Sequence, residues 1–397
     1  MELQPLGHPG PSTSSADAPH LGAARLPEAL LPQPRTGDAA AEPEVDVVAA
    51  LSAMTALGAS DLHLTAGTPP MVRVRGELAA LAGFEVCEPA ALRRGLFGML
   101  AQKQRERFEE RLELDLAHAV PGVGRFRVNL YKQRGSVGAA FRAIPTELRA
   151  LEDLGVPPAV ATFAHLPRGL VLVTGPTGSG KSTTLAAIID LANRTRRDHI
   201  MTVEDPIEFL HQHKGCVVNQ REVGEDTHSF GAALKHALRQ DPDIILVGEL
   251  RDLETISIAL TAAETGHLVF ATLHTQDAGQ TIDRVIDVFP ADQQEQVRVM
   301  LAGALQGVVC QTLCKRADGR SRAVATEVLM ATPAIRNLIR EGKTHQVYSA
   351  MQAGGQHGMH TLDQHLAELV RVGAVTYEHA LEKSSNPADV ARLCGRA

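Results

Sequence analysis

One eight-residue stretch carries the residue types needed to bind a polyphosphate. The residues Gly175-Pro176-Thr177-Gly178-Ser179-Gly180-Lys181-Ser182 match the pattern G-x-x-x-x-G-K-[ST] of the phosphate-binding P-loop. The glycines let the backbone wrap around phosphates so that several N–H groups point inward. Lys181 supplies a full positive charge, and the hydroxyl of Ser182 suits Mg²⁺. The stretch predicts a site for a magnesium–nucleoside triphosphate.

The residues around this stretch support the P-loop interpretation. A continuous apolar run at 169–174 predicts a buried strand, and the apolar spacing over 182–193 predicts a helix. Strand, glycine loop and helix are the context that the motif requires. The alternative is a glycine-rich turn in an unrelated α/β domain.

A carboxylate at the end of another apolar run could act on the same phosphates. Residues 244–247 are all apolar and predict a buried strand, which places Glu249 at its carboxyl end beside the P-loop. An acid there can hold Mg²⁺, directly or through water, or polarise the attacking water. The alternative is an ordinary carboxylate at a sheet edge.

Three acids follow the strand predicted near residue 200. Glu204, Asp205 and Glu208 stand close together around Pro206. Acids so near to each other repel unless a cation lies among them, and Mg²⁺·ATP would supply one. Hydrolysis needs a group that activates water, and either Glu208 or Glu204 could serve. The alternative is a solvated acidic loop.

Two histidines flank a further apolar run. His267 precedes residues 268–273 and His274 follows them. A polar group at the carboxyl end of this strand could sense the γ-phosphate, whereas a lone histidine is more often structural.

The elements that would position these residues alternate between strand and helix. They are predicted at 169–174 (strand), 182–193 (helix), 199–204 (strand), 229–240 (helix), 244–248 (strand), 254–265 (helix) and 268–273 (strand). This alternation predicts a mainly parallel sheet covered on both faces. Farther along, apolar spacing over 294–313 predicts one long helix carrying Cys310 and Cys314 as core residues, and 323–330 predicts a late strand.

Composition and periodicity predict five segments. Residues 1–44 are rich in Pro, Gly, Ala and Ser and predict a disordered tail. Residues 45–145 predict a small α+β domain, 146–166 a linker, 167–332 the α/β core with the P-loop, and 333–397 a region of short helices.

The bulk composition argues against several classes of protein. The 397 residues carry a net charge of −7 and no Trp, with only 3% aromatics, which argues against a protein that grips nucleic acid. Five scattered cysteines indicate reduced thiols in a cytosol. No apolar run approaches the ~18 residues of a membrane helix, and we expect no signal sequence at the N-terminus.

Four stretches of the chain, 175–182, 201–208, 243–249 and 266–275, follow one another in this order. They resemble the Walker A, Asp box, Walker B and His box of the PilT family, the retraction ATPase of type IV pili within the secretion ATPase superfamily. The resemblance covers about residues 45 to 385. It includes ASDLHL at 59–64 and GRFRVN at 124–129, which match the family's N-terminal PAS-like domain. It also includes AIRNLIRE at 334–341, which is similar to the C-terminal signature of retraction ATPases.

This resemblance implies an architecture and partners. It implies a PAS-like α+β domain followed by a RecA-like P-loop ATPase domain with a helical C-terminal region. The chain would form a homo-hexameric motor, cytoplasmic and peripheral at the inner membrane. Its partners would be the inner-membrane platform protein of the type IV pilus and a second retraction ATPase, with no nucleic acid. Extension and secretion relatives carry a Cys-x-x-Cys zinc module between Walker B and the C-terminus, and its absence from this sequence favours retraction.

The resemblance also implies a role for each residue of the motifs. Lys181, Ser182 and Thr183 would bind phosphates and Mg²⁺, Glu208 would be the catalytic base, Glu249 the Walker B acid, and His267 and His274 the His-box residues. Two alternatives stay open, a ring paralogue that binds nucleotide without turnover and a DNA-translocating ATPase of related fold. The intact Lys181, Glu208 and Glu249 favour an enzyme.

Overall fold

The structure, a computed structural model, describes residues 23–24, 44–144 and 148–396. The chain divides into two compact units, Met1–Ile144 and Pro145–Ala397. Apart from residues 23–24 and 44, the predicted tail at 1–44 lies outside the described residues, as do the first two residues of the predicted linker. Among the described helices, none combines the length and apolar character that a membrane span requires.

The first unit contains three helices and one sheet in its described residues. Its elements are β1 (Ala23–Ala24), α1 (Val47–Ala56), β2 (Asp61–Leu64), β3 (Met71–Val74), β4 (Glu77–Leu81), α2 (Pro89–Gly98), α3 (Gln102–Arg111), β5 (Glu113–Val120), β6 (Gly124–Gln133) and β7 (Ser136–Ile144). The strand order is β1-β4-β3-β2-β7-β6-β5, with β1 parallel to β4 and the other pairs antiparallel. Leu51 and Met54 of α1 are fully buried against this sheet's apolar face, which holds Leu62 and Phe141.

The second unit carries the P-loop. Its strands are β8 (Gly169–Thr174), β9 (His199–Glu204), β10 (Val217–Glu222), β11 (Ile244–Val247), β12 (Leu268–Leu273), β13 (Leu305–Lys315) and β14 (Arg322–Met330). Its helices are α4 (Lys181–Thr195), α5 (Phe230–Ala237), α6 (Leu253–Glu264), α7 (Ala278–Asp287), α8 (Gln294–Ala304), α9 (Pro333–Arg340), α10 (Val347–Ala353), α11 (Leu362–Arg371), α12 (Tyr377–Lys383) and α13 (Pro387–Leu393).

The sheet of the second unit is parallel except at one edge. Its described strands lie in the order β10-β9-β11-β12-β8-β13-β14, and only β14 runs antiparallel to its neighbour. Alternate residues of β8 enter different cores: Leu170 and Leu172 pack with α6, α7 and α8, whereas Val171 and Val173 pack with α4. The predicted parallel sheet with both faces covered is confirmed.

The prediction of one long helix over 294–313 was wrong. Helix α8 ends at Ala304, and the chain continues directly as β13, so that Cys310 and Cys314 lie on a strand. Strand β13 is hydrogen-bonded to β8 on one side and β14 on the other, and side chains on both of its faces are buried in the cores of the unit. A strand buried on both faces has a continuous apolar run that periodicity cannot separate from a helix. The prediction that Cys310 and Cys314 are core residues is confirmed, since both are buried.

The signature AIRNLIRE forms helix α9, which packs on α8. Ile335 and Ile339 are fully buried, and Leu338 packs partly buried against the same core. Arg336 donates Nη1 to the carbonyl oxygens of Ala302 and Gly303 at 2.6 and 2.8 Å, at the last turn of α8. This guanidinium satisfies carbonyls that a helix end leaves without partners, so it joins the two helices.

Candidate active site

The P-loop spans the turn between β8 and α4 and depends on its glycines. Gly175, Gly178 and Gly180 have φ values of +135°, +79° and +90°. These conformations are costly for a residue with a Cβ atom. Pro176, Thr177 and Gly178 form the exposed outer part of the turn, whereas Ser179 is buried.

Strand β13 supports the loop from behind through Gln311. A Cβ atom on Gly175 would lie 2.2 Å from the backbone oxygen of Gln311. The Gln311 side chain, only 3% exposed, donates Nε2 to the carbonyl oxygen of Ser179 at 2.8 Å. Sequence reasoning missed this residue because it lies in the run that was predicted as a helix. A glutamine inside an otherwise apolar run was the available signal.

Lys181 lies under the loop with its ammonium group close to the backbone. Nζ donates to the carbonyl oxygens of Gly175 at 2.8 Å and Pro176 at 3.1 Å, and the residue is 9% exposed. Burial lowers the pKa of Lys181, while the negative charges of Glu249 and Glu208 act in the opposite direction. Acids at the ends of β9 and β11 therefore lie near enough to act on the P-loop lysine.

Glu249 lies between two basic side chains. Its Oε2 is 2.7 Å from Nη2 of Arg251, and its Oε1 is 3.1 Å from Nε2 of His274. Burial raises the pKa of Glu249, but the Arg251 hydrogen bond and the charges of Arg251, His274 and Lys181 outweigh it and hold this pKa below its usual value. Glu249 is therefore ionised across the neutral range.

Glu204 and Glu208 occupy different environments. The Glu204 carboxylate accepts a hydrogen bond from Thr202 Oγ1 at 2.7 Å and one from Gln220 Nε2 at 3.2 Å. Burial raises the pKa of Glu204 to about 7, against the lowering effect of Thr202, Gln220 and the backbone N–H of Glu208. Glu208 itself is exposed. The structure thus gives Glu204 bonded partners within the protein and leaves the Glu208 side chain on the surface.

The two histidines lie at opposite ends of strand β12. His274 follows the carboxyl end of β12 and contacts Glu249. His267 precedes β12, and its Nδ1 lies 3.0 Å from the carbonyl oxygen of Ala262 in the last turn of α6. Six strand residues, about 20 Å of chain, separate the two positions. The expected place of His267 in the catalytic group is therefore not supported within one copy of the chain.

Two cavities adjoin the P-loop, and a third, about 470 Å³, is lined by Glu249, Arg251 and His274. The larger, about 670 Å³, begins at Gly180 and Thr183 and is lined by the basic side chains Arg149, Arg316, Arg320 and Arg322. Its charge and its contact with the helix start of α4 suit the anionic part of a nucleotide. A second, of about 30 Å³, is lined by Ser182, Glu204 and Thr272. That volume accommodates a single water molecule among polar groups.

The residues at the site suit Mg²⁺ only in company with phosphate oxygens. The described ranges contain no group of three or more His, Cys, Asp or Glu side chains that could hold a metal alone. Mg²⁺ at nucleotide sites uses one or two protein oxygens, with phosphate and water supplying the remainder. Ser182 offers a hydroxyl on the 30 Å³ cavity. The oxygens of Glu249 already contact Arg251 and His274, so this acid suits contact through water.

Comparison with known proteins matches most of the chain. Residues 139–371 match the family model described as "Type II/IV secretion system protein". The chain is 54% identical over 343 residues to the Pseudomonas aeruginosa "Type IV pilus retractation ATPase PilT", covering 86% of this chain and 99% of that protein. It is 47% identical to the Neisseria gonorrhoeae "Twitching motility protein", covering 85% of this chain and 91% of that protein.

A solved structure has the same fold. The crystal structure of "the Pilus Retraction Motor PilT and Bound ADP" aligns with a TM-score of 0.83 and 48% identity, over 88% of this chain and all of that one. The mixed α/β fold is therefore shared along most of the chain. With its P-loop and adjoining acids, the chain belongs to the type II/IV secretion system protein family and, within it, to the PilT-type ATPases.

Proposed function

We propose that this protein is a motor ATPase that couples hydrolysis of ATP to retraction of a type IV pilus. The observation that carries the chemistry is the position of Lys181, which is hydrogen-bonded to the P-loop backbone and lies within the field of the negative charges of Glu208 and Glu249. Two acids, one after β9 and one after β11, thus lie near the lysine of an anion-binding loop. This combination binds a triphosphate and orients water for in-line attack on it. Relatives named as a retraction ATPase and a twitching motility protein support the mechanical role.

The residues take distinct roles in this proposal. The backbone N–H groups of 177–180, with Lys181, Ser182 and Thr183, bind the phosphates. Glu208 accepts a proton from the water whose oxygen attacks the γ-phosphorus, while the bond from that phosphorus to the ADP oxygen breaks. Glu204 is a poorer candidate for the base because Thr202 and Gln220 already bond to its carboxylate. His274 contacts Glu249 and orients it, and in this proposal it senses the γ-phosphate.

Mg²⁺ would be held by Ser182 and, through water, by Glu249. When bound, the ion neutralises phosphate charge and orients the phosphate oxygens. Arg251 sets how strongly Glu249 can contribute, because its guanidinium bonds one of the two carboxylate oxygens. Mg²⁺ and ATP are thus the proposed ligands of one site.

The proposal includes an assembly and a location. We infer a homo-hexamer with a PAS-like first unit and a RecA-like second unit, at the cytoplasmic face of the inner membrane. Its partners would be the platform protein of the pilus and a second retraction ATPase. Similarity to a crystallised pilus retraction motor supports this assignment. The five segments 1–44, 45–145, 146–166, 167–332 and 333–397 remain the proposed domain division.

Turnover of ATP by the purified chain tests the enzymatic part. Lys181→Ala, Glu208→Gln and Glu249→Gln should each lower kcat by at least ~100-fold. Glu264→Gln is the control, because Glu264 is an exposed acid at the last residue of α6, before the amino end of β12, and it should change kcat by less than about threefold. Turnover that survives Lys181→Ala would place hydrolysis elsewhere, and a wild-type chain that binds ATP without turnover would indicate the paralogue. Stimulation by DNA would revive the DNA-translocating alternative.

A strain lacking the protein tests the mechanical part. Surface pili that accumulate without twitching support retraction, whereas loss of pili would indicate an extension motor. Leu338→Ala in α9 should keep most ATPase activity and abolish retraction, because its contact is with the packed helices rather than the P-loop. Equal loss of turnover and retraction would contradict this separation.

A further inference from the structure

A buried glutamate on β14, Glu327, has no role in the proposed chemistry, yet it contacts two helices. Glu327 is 3% exposed. Its Oε1 accepts the backbone N–H of Ala278 at 2.8 Å, and its Oε2 accepts the backbone N–H of Leu362 at 3.4 Å. Ala278 is the first residue of α7 and Leu362 is the first residue of α11. One carboxylate therefore joins two helix N-termini.

Two further acids, Asp277 and Asp363, and the thiol of Cys310 lie close enough to this carboxylate to interact with its charge. Burial raises the pKa of Glu327 to about 7, with Ala278 N–H lowering it and Asp277 raising it. A buried carboxylate is costly unless its oxygens are bonded, and the positive ends of helix dipoles are favourable partners. If this position served only to fill the core, an apolar side chain would be the less costly choice. The position suits a residue whose hydrogen bonds fix the two helices.

Helix α7 begins close to His274 and anchors the loop that carries it. Only three residues separate His274 from Ala278. Within that interval Thr275 Oγ1 lies 2.7 Å from Thr281 Oγ1, and Thr281 Oγ1 donates to the carbonyl oxygen of Asp277 at 2.7 Å. The loop is thus bound to the first turn of α7, and that turn is bound to Glu327.

The other oxygen faces the C-terminal helices. Next to Glu327, Val328 exchanges two backbone hydrogen bonds with His360, at 3.0 and 3.1 Å, just before α11. Strand β14 itself runs into α9 within a few residues. A shift of α7 would therefore act on the beginning of α11 and on the strand that precedes α9.

We propose that Glu327 is a positioning residue that fixes the His274 loop through the first turn of α7 and links this loop to α11. This inference rests on the proposed ATPase function, because it assigns Glu327 a role in orienting His274. In this role Glu327 acts through His274 and not directly on the nucleotide.

Hydrogen exchange on the full-length chain tests the geometry without turnover. Glu327→Gln keeps the shape of the side chain but leaves one acceptor oxygen, so one of the two N–H groups loses its partner. Exchange at 274–281 and at 361–366 should rise by about fivefold or more, with β8 to β12 unchanged. Thr376→Ala is the control, because it removes the cap of α12 without touching α7, and exchange at 274–281 should not change. Unchanged exchange at 274–281 in Glu327→Gln, or a uniform rise across the unit, would overturn the proposal.

A double-mutant cycle with His274→Gln tests the route to catalysis. At a temperature where all variants are folded, Glu327→Gln should lower kcat by ~10-fold or more and leave the Kd for ADP within about twofold. In the His274→Gln background the same change should lower kcat by less than about twofold. Equal effects in both backgrounds would overturn the inference. If Glu327→Gln does not fold, Glu327→Asp, which shortens the side chain, is measured by both assays with the same expectations. Lys181-dependent turnover of the wild-type chain reports separately on the proposed function.

Discussion

The close contact between Gly175 and β13 predicts unequal effects of two alanine substitutions in the P-loop. Gly175→Ala would place a Cβ atom 2.2 Å from the backbone oxygen of Gln311 and 2.8 Å from Ser179 Oγ. Gly178→Ala would meet nothing within 4 Å. Both glycines have positive φ, so both variants carry backbone strain, but only the first carries a steric clash.

The loss of folding stability in each variant follows from the backbone strain and the steric clash. Holding a residue with a Cβ atom at a φ that only glycine favours costs about 1–3 kcal/mol. Forcing an atom into a packed site adds about 1–3 kcal/mol, because the neighbour is backbone and cannot rotate away. We expect Gly175→Ala to lose about 2–6 kcal/mol and Gly178→Ala about 1–3 kcal/mol.

Thermal unfolding without nucleotide separates the two variants. For a unit of this size, 1 kcal/mol shifts Tm by about 2–4 °C, so the extra ~1–3 kcal/mol of the clash should make Gly175→Ala unfold about 2–12 °C below Gly178→Ala. Circular dichroism of the folded chain is a suitable signal, since the sequence has no Trp. ADP affinity does not discriminate, because either methyl group disturbs the phosphate-binding backbone. Equal Tm values for the two variants would refute the claim that β13 backs the loop.

Three further predictions follow from the charges around the site and α9. The pKa of Glu204 is about 7 in the folded state, against an ordinary value of 4.5. Between these pH values the folded chain keeps a proton that the unfolded chain has lost. The free energy of unfolding of the wild type therefore falls as pH rises from 4.5 to about 7. Glu204→Gln removes that fall, and urea titrations should show the variant gaining about 1–3 kcal/mol on wild type between pH 4.5 and 8. Arg251→Ala takes from Glu249 the hydrogen bond that lowers its pKa, so the acid limb of the pH–rate profile should move to higher pH; an unmoved limb would count against Glu249 as the titrating group. Arg336→Ala leaves the last carbonyls of α8 unpaired and should cost about 1–3 kcal/mol, whereas the exposed Arg340→Ala should stay within about 0.5 kcal/mol, as differential scanning calorimetry would measure.

Elements whose signals are local were predictable from the sequence. The glycine pattern at 175–182 depends on the backbone conformation of those residues, and the acid that ends β11 follows from four consecutive apolar residues. Parallel strands place their carboxyl ends at one edge, so the proximity of Lys181, Glu249 and Glu208 required no further information. These predictions needed only sequence order and strand direction.

Elements whose signals are long-range were not predictable. Helix and strand both fit the apolar residues at 305–313 until β8 and β14 are known to flank them. The support of Gln311 for the P-loop joins residues 132 positions apart, and the contact of Glu327 with Ala278 joins residues 49 apart. Strand β10 was also missed, since its exposed edge carries polar residues that do not alternate clearly with apolar ones.

The position of His267 shows why order along the chain does not decide which residues meet. Its sequence neighbourhood is as apolar as that of His274, but the two histidines stand on either side of one strand. In a parallel sheet the amino and carboxyl ends of a strand belong to different edges, and only the carboxyl edge carries the P-loop. A histidine before the strand can therefore reach a nucleotide only if that nucleotide is held by another copy of the chain. Within one chain its imidazole instead meets a carbonyl of α6. If His267 takes part in turnover, the proposed hexamer is required by the chemistry as well as by the mechanical work.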